Sequence, residues 1–173
     1  VAFYEQKNYE KALYYYSESL KLEVALGEEG SPANSYNNIA LIHERQNHLD
    51  SAMYYYQKCL VAAGESQNNH VLAWANNGMA IVYQKKQEYQ QAFEYVQQAI
   101  ALREALGKKE LLAQSYNTLG KNYLALGQYT EALAIYSKSR LLCEEVDNPL
   151  NLKDALEGIS LSYEGLNQAA QAY

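Results

Sequence analysis

The sequence predicts an all-α chain, a superhelical solenoid of antiparallel helix pairs. Three observations carry the prediction. Ala12, Ala52, Ala92, Ala132 and Ala172 recur every 40 residues without a slip. Nine residues before each of them stands a ring, at Phe3, His43, Tyr83, Tyr123 and Tyr163. Within each period the apolar residues follow helical spacing rather than strand alternation. A fixed period of this length marks one supersecondary unit, copied and stacked, because each copy buries its apolar face only against its neighbours.

Each period reads as two helices. In the fourth, "AQSYNTLGKNYLAL" sets Tyr116, Leu119, Gly120 and Tyr123 at i, i+3, i+4 and i+7, one stripe of a helix. "GQY" interrupts the pattern, and "TEALAIYSKSRLLCEEV" resumes it with Ala132, Ile135, Tyr136 and Ser139 on one side. Thr130 is the expected N-cap of that second helix. Gly27 and Gly107 stand where second helices should end, as glycines just past a helix terminus do. Short turns make the paired helices antiparallel neighbours. Three residues before the repeating alanines come Tyr9, Leu49, Tyr89 and Tyr129, with Ala169 in the last copy. The units run 1–32 (partial), 33–72, 73–112, 113–152 and 153–173 (partial), forming one domain.

Composition narrows the function. The chain has 173 residues, 49% of them apolar, which is ample for a core. Its net charge of −6 argues against nucleic acid, which needs a basic footprint, and against anionic membranes. No apolar run approaches the roughly 20 residues of a membrane span, and no secretory signal pattern is present. Cys59 and Cys143 do not make a disulfide framework and fit a reducing compartment, so a cytoplasmic setting is expected. The chain opens on "VAFYEQKNYEKAL" without a methionine and reads as a piece of something longer.

The pattern from Tyr116 to Tyr136, Y-x-x-L-G-x-x-Y-x-x-x-G-x-Y-x-x-A-x-x-x-Y, resembles the tetratricopeptide repeat over the whole chain. Ala40, Ala80, Gly120 and Ser160 match the family's close helix contact. The 40-residue period exceeds the family's usual 34. The six extra residues are expected between the second helix and the next unit, and the proline usual there is missing. The longer unit is similar to kinesin light chain, to LGN-type spindle adaptors and to tetratricopeptide regions of bacterial regulators and sensor kinases. The resemblance implies a right-handed α-α superhelix that binds proteins or peptides.

Places within each unit are counted from Ala33, Ala73, Ala113 and Lys153. The tyrosine triplets 14–16 and 54–56 fall at places 22 to 24 of the second helix. Places 23 and 24 are aromatic in the family, which makes Tyr15, Tyr16, Tyr55 and Tyr56 core residues. Place 22 faces the convex side, leaving Tyr14 and Tyr54 as a convex contact patch. First helices line the concave face. Place 5 holds Asn37, Asn77 and Asn117, then Glu157; place 6 holds Asn38, Gly78, Thr118 and Gly158. An asparagine amide offers a donor and an acceptor to an extended peptide, and "YNNIA" at 36–40 resembles the "NNL" motif through which relatives bind peptides. Asn37, Asn77 and Asn117 are therefore expected to be accessible and free of internal bonds. Asn34, Trp74 and Gln114 at place 2, Leu41, Ile81 and Lys121 at place 9, and Arg45 and Lys85 at place 13 complete the expected peptide groove. Trp74, the only tryptophan, suits an anchor.

Among His43, His48 and His70, only His43 shares a helix pair with a cysteine, Cys59, and both sit at core places, so no catalytic dyad is expected. No phosphate loop, zinc spacing or nucleophile elbow appears. No enzyme, metal or cofactor is predicted. The leading reading is a module that binds a protein or peptide in its groove. The alternative is a sensory, structural or dimerisation region of a larger bacterial regulator such as a histidine kinase. Partial units lack polar caps, so apolar places near Phe3, Ile159 and Tyr163 are expected to be covered by a second copy, giving a homodimer, or by residues outside this stretch.

Overall fold

A computed structural model describes residues 8–26 and 32–171. Eight helices fill them: α1 Tyr9–Ala25, α2 Ala33–Arg45, α3 Leu49–Glu65, α4 Asn69–Lys85, α5 Tyr89–Ala105, α6 Lys109–Ala125, α7 Tyr129–Val146 and α8 Pro149–Gln171. From α3 onward, helices begin every 20 residues, and the helices α3 to α7 are 17 or 18 residues long. The residues beyond a 34-residue repeat therefore do not form a longer junction. They lengthen both helices, and every connection from α2 to α7 is two or three residues.

Those connections share one geometry. Asn47, Gln67, Gln87, Gly107, Gly127 and Asp147 take positive φ, between 52° and 70°, at intervals of 20 residues. The amide of the following residue donates back five positions, as in His48 to the carbonyl of His43, Asn68 to Ala63, Glu88 to Tyr83, Lys108 to Arg103, Gln128 to Tyr123 and Asn148 to Cys143. This double-bonded left-handed terminus satisfies the last carbonyls and reverses the chain. Gly107 does so as expected, and Gly27 lies outside the described residues. Because the turn closes at Gln128, that residue is the N-cap of α7 and the expected cap Thr130 falls inside the helix. Side-chain caps come from Asn8, Asn68 and Asn148, each accepting from an amide three residues on.

Pairs α4/α5 and α6/α7 pack most closely, followed equally by α2/α3 and α7/α8; each second helix also packs on the next first helix, and first helices touch one another. The core runs along the stack: Ala52, Tyr56, Cys59 and Met79 near the first layers, Ala80, Val96 and Leu119 in the middle, Ala132, Tyr136 and Ala155 towards the C-terminal end. Of the triplet tyrosines, Tyr56 is buried, Tyr55 is half-buried against the core and Tyr16 is half-buried. Tyr15, expected in the core, is 58% exposed. Place 23 gains its cover from the ring at place 11 of the same unit. Tyr55 stacks on His43 at 5.5 Å and Tyr95 on Tyr83 at 5.4 Å. The corresponding ring for Tyr15 is Phe3, outside the described residues. α8 continues through 167, the left-handed position of its predecessors, as helix. No described helix is long and apolar enough to cross a membrane.

Candidate functional site

First helices α2, α4 and α6 flank a pocket of about 550 Å³. Asn37, Asn38, Leu41 and Arg45 reach it from α2, Trp74, Asn77, Ile81 and Lys85 from α4, Leu111 and Gln114 from α6. The repeat register thus assembles most of the expected groove in one place. Four further lining residues escaped the sequence reading as ligand-facing groups: Glu44, Tyr56, Arg103 and Leu111.

The asparagine ladder is corrected. Asn37, Asn77 and Asn117 are only 6%, 4% and 3% exposed. First helices are covered on one side by their own second helix, on another by the preceding second helix, and along place 5 by the adjacent first helix. Asn117 spends its amide there, donating to the carbonyl of Asn151 on α8 at 2.9 Å. Asn77 accepts from the Ser115 hydroxyl of α6 at 3.1 Å. Asn37 keeps a buried Oδ1 with no hydrogen-bond partner, and so does Asn117. Asn37 and Asn77 line the pocket; Asn117 does not belong to its lining.

The cations are likewise committed in part. Lys85, expected to face a ligand, donates to the carbonyl of Glu44 at 2.8 Å and to its carboxylate at 3.0 Å. The other Glu44 oxygen accepts from Tyr56 Oη at 3.2 Å, so this buried carboxylate is satisfied on both sides. Lys121 lies 3.8 Å from Asp154, outside the pocket, and Asn34 is exposed beyond its lining. Arg45 is exposed on the wall.

Arg103 is 1% exposed, the largest fully buried side chain among the described residues. Its Nη1 donates to the carbonyl of Leu111 at 2.5 Å and to Ser115 Oγ at 2.7 Å, while Nε has no partner. No carboxylate pairs with it among the described residues, and burial alone pushes its pKa down to about 10. The sequence held a signal for it. Arg103 occupies place 31, where the neighbouring units carry Ala63 and Cys143, both fully buried. A charge standing in register with core alanine and cysteine is a polar group the fold must accommodate.

Trp74 is 41% exposed and stands on the rim between this pocket and a second one lined by His70, Lys108, Lys109, Glu110 and Val146. On the opposite side, Tyr14 and Tyr54 are exposed as expected, each edge-on to its own neighbour, Tyr15 or Tyr55, at 5.3 and 5.2 Å. Burial raises the Cys59 thiol to about 12 and keeps it protonated. Burial lowers the His43 imidazolium, with His48 adding to the effect. No group of three or more His, Cys, Asp or Glu that could hold a metal ion occurs among the described residues.

No curated protein sequence matches the chain. Among solved structures it is similar to BtubC (BKLC) from P. vanneervenii, with a TM-score of 0.75 and 17% identity over 98% of this chain and 74% of that one. It is also similar to a kinesin-light-chain-type protein of Podosopora anserina with nearly identical TPR-like repeats, at a TM-score of 0.74 and 16% identity over 99% of this chain and 85% of that one. A single-substitution variant of that Podosopora anserina protein gives a TM-score of 0.75 and 16% identity, over 99% of this chain and 84% of that one. These likenesses establish the right-handed superhelical fold. The tetratricopeptide repeat model matches residues 1–63 and 71–145, and with the 20-residue helix rhythm and the paired core rings it places the chain in the tetratricopeptide repeat family.

Proposed function

We propose that this chain is a protein-interaction module that holds an extended peptide or protein segment in the groove of α2, α4 and α6. The observation that carries the reading is the wall composition of the pocket. Trp74, Leu41, Ile81 and Leu111 supply apolar surface, Asn37, Asn38, Asn77 and Gln114 supply amides, and Arg45 and Lys85 supply charge. Concave sites of this make-up fix an apolar anchor and orient it with a few polar groups. Packed helices stand ~10 Å apart and an extended chain advances ~3.3 Å per residue, so successive helices meet every third residue of one segment. Asn34 and Lys121 would extend contact beyond the pocket.

The test uses peptides selected on the wild-type chain from a random dodecapeptide library. Trp74→Ala with Asn38→Ala should weaken the selected peptides at least tenfold in fluorescence anisotropy, with unchanged helicity by circular dichroism. Equal affinity would move the site elsewhere, with the convex Tyr14 and Tyr54 next in line. A second reading, self-association through an end, rests on Leu156, Leu161 and Tyr163, all exposed on α8. Sedimentation as a single monomeric species across the micromolar range would set it aside.

A further inference from the structure

Place 4 of the first helix departs from the repeat in one unit. It holds Tyr36, Tyr116 and Leu156 in units 33–72, 113–152 and 153–173, but Asn76 in unit 73–112. The two tyrosines show what that place does. Both are half-buried. Tyr36 packs on Tyr55 of its own second helix, 6.3 Å between ring centroids. Tyr116 reaches the preceding second helix, where its hydroxyl donates to Glu104 at 3.1 Å. A ring at place 4 thus fills the gap between successive second helices on the convex side. In unit 73–112 both halves of that contact are absent. Asn76 has no ring, and Gly64 stands at the place of Glu104, where a Cβ would meet no atom within 4 Å.

The gap between α3 and α5 is accordingly an open cleft of about 640 Å³. Leu60, Leu72, Tyr95 and Leu102 line it, each only half-buried, together with Asn76, which is 4% exposed. Asn76 adds no packing to compensate. Its Nδ2 donates to the carbonyl of Leu72 at 2.9 Å, but its Oδ1 is covered and has no hydrogen-bond partner. A buried acceptor left unmade costs stability, so folding alone favours a ring at this place over an amide.

We propose that this convex cleft is a docking seat for a tyrosine side chain of a partner protein, which enters between α3 and α5 and stands where Tyr36 and Tyr116 stand in their own units. The chain itself identifies the occupant, because the same repeat fills the same place with tyrosine on either side. Tyr95 offers the inserted ring the contact that Tyr55 gives Tyr36. Glu94 lines the cleft and is exposed, so its carboxylate is placed to accept from the phenol hydroxyl as Glu104 does from Tyr116. The seat is separate from the concave groove and does not depend on it.

The experiment titrates the chain with p-cresol, the tyrosine side chain alone, and with the blocked tripeptide acetyl-Gly-Tyr-Gly-amide and its Phe and Leu twins. Binding is read from amide chemical shifts in nitrogen–proton NMR spectra. Saturable shifts should centre on Leu60, Leu72, Asn76, Tyr95 and Leu102. The Tyr peptide should bind at least about threefold more tightly than the Phe twin, through the hydroxyl, and the Leu twin, which has no ring, should bind weakest. Asn76→Tyr grafts the missing ring into its own place. It should raise the melting temperature and abolish saturable binding of p-cresol. Should that variant fail to fold, Gln98→Trp, at an exposed position lining the cleft, covers the opening instead and should weaken p-cresol at least fivefold. Shifts centred on Trp74 and Asn38 belong to the concave groove and overturn the proposal. So do equal affinities of the three peptides, undiminished p-cresol binding in a folded Asn76→Tyr or in Gln98→Trp, and failure of every probe to bind. None of these results touches the groove reading, which stands or falls on the selected dodecapeptides.

Discussion

Tyr56 lies against Gly78 of the next unit, and Tyr136 between Gly120 and Gly158; a Cβ at any of the three glycines would overlap the ring. At the equivalent places of the middle unit stand Val96 and Thr118. Place 24 and place 6 of the following unit are therefore matched in volume, ring with glycine and small branched residue with threonine. Tyr56→Ala should cost about 3–5 kcal/mol through the cavity it leaves, against less than about 0.5 kcal/mol for the exposed Tyr54→Ala. Gly78→Thr should cost at least about 2 kcal/mol alone and markedly less combined with Tyr56→Val, because the pair is in contact. Urea titration of the four variants checks both statements. His43 adds a pH dependence. Its folded pKa is lowered by burial and by His48, so the folded state binds its proton less readily than the unfolded chain does. That contribution is complete above about pH 6.5, the unfolded value, and is lost as pH falls towards the folded value. His43→Tyr, the residue type found at 83 and 123, should remove this slope from melting curves taken between pH 5 and 7. The register was enough to locate the walls of the pocket. It could not tell that place 5 is covered by the adjacent first helix, because a stripe pattern reports one packed face and these helices have three.

Every helix from α2 to α7 ends on a residue of left-handed conformation, yet only Gly107 and Gly127 among these six are glycine. A side chain at positive φ costs about 1 kcal/mol relative to glycine. Gln67→Gly and Gln87→Gly should each raise stability by up to about that amount, and Gly127→Ala should lower it similarly. Thermal melts followed at 222 nm decide between these signs. The existence and pairing of the helices were legible because the 40-residue period carries the apolar stripes with it. The ends were less so: glutamine gives no hint of a left-handed turn, and the turn, rather than Thr130, fixed where α7 begins. α8 shows the converse, since its sequence matches the period while its backbone follows helix propagation past the expected break.

Stability along the stack is uneven. Of α1 only Ala12 is buried, while α4 buries nine residues from Val71 to Val82. In a solenoid each helix draws support from its neighbours alone, so opening should begin at the α1 end. Hydrogen exchange should show α1 amides exchanging well before those of α4 and α5; equal protection would contradict a nearest-neighbour stack. Polar links also run between successive layers, from Gln84 to the carbonyl of Thr118, from Asn122 to that of Tyr89 and from Asn117 to that of Asn151. The identical left-handed joints give this chain the mechanics of a spring. A load on the groove would be spread over six left-handed joints instead of being taken up by one hinge, so a small rotation at each would sum to a change of groove width. On the groove reading, a segment bulkier than the resting opening would be admitted by elastic uncoiling, with every helix and every joint still intact.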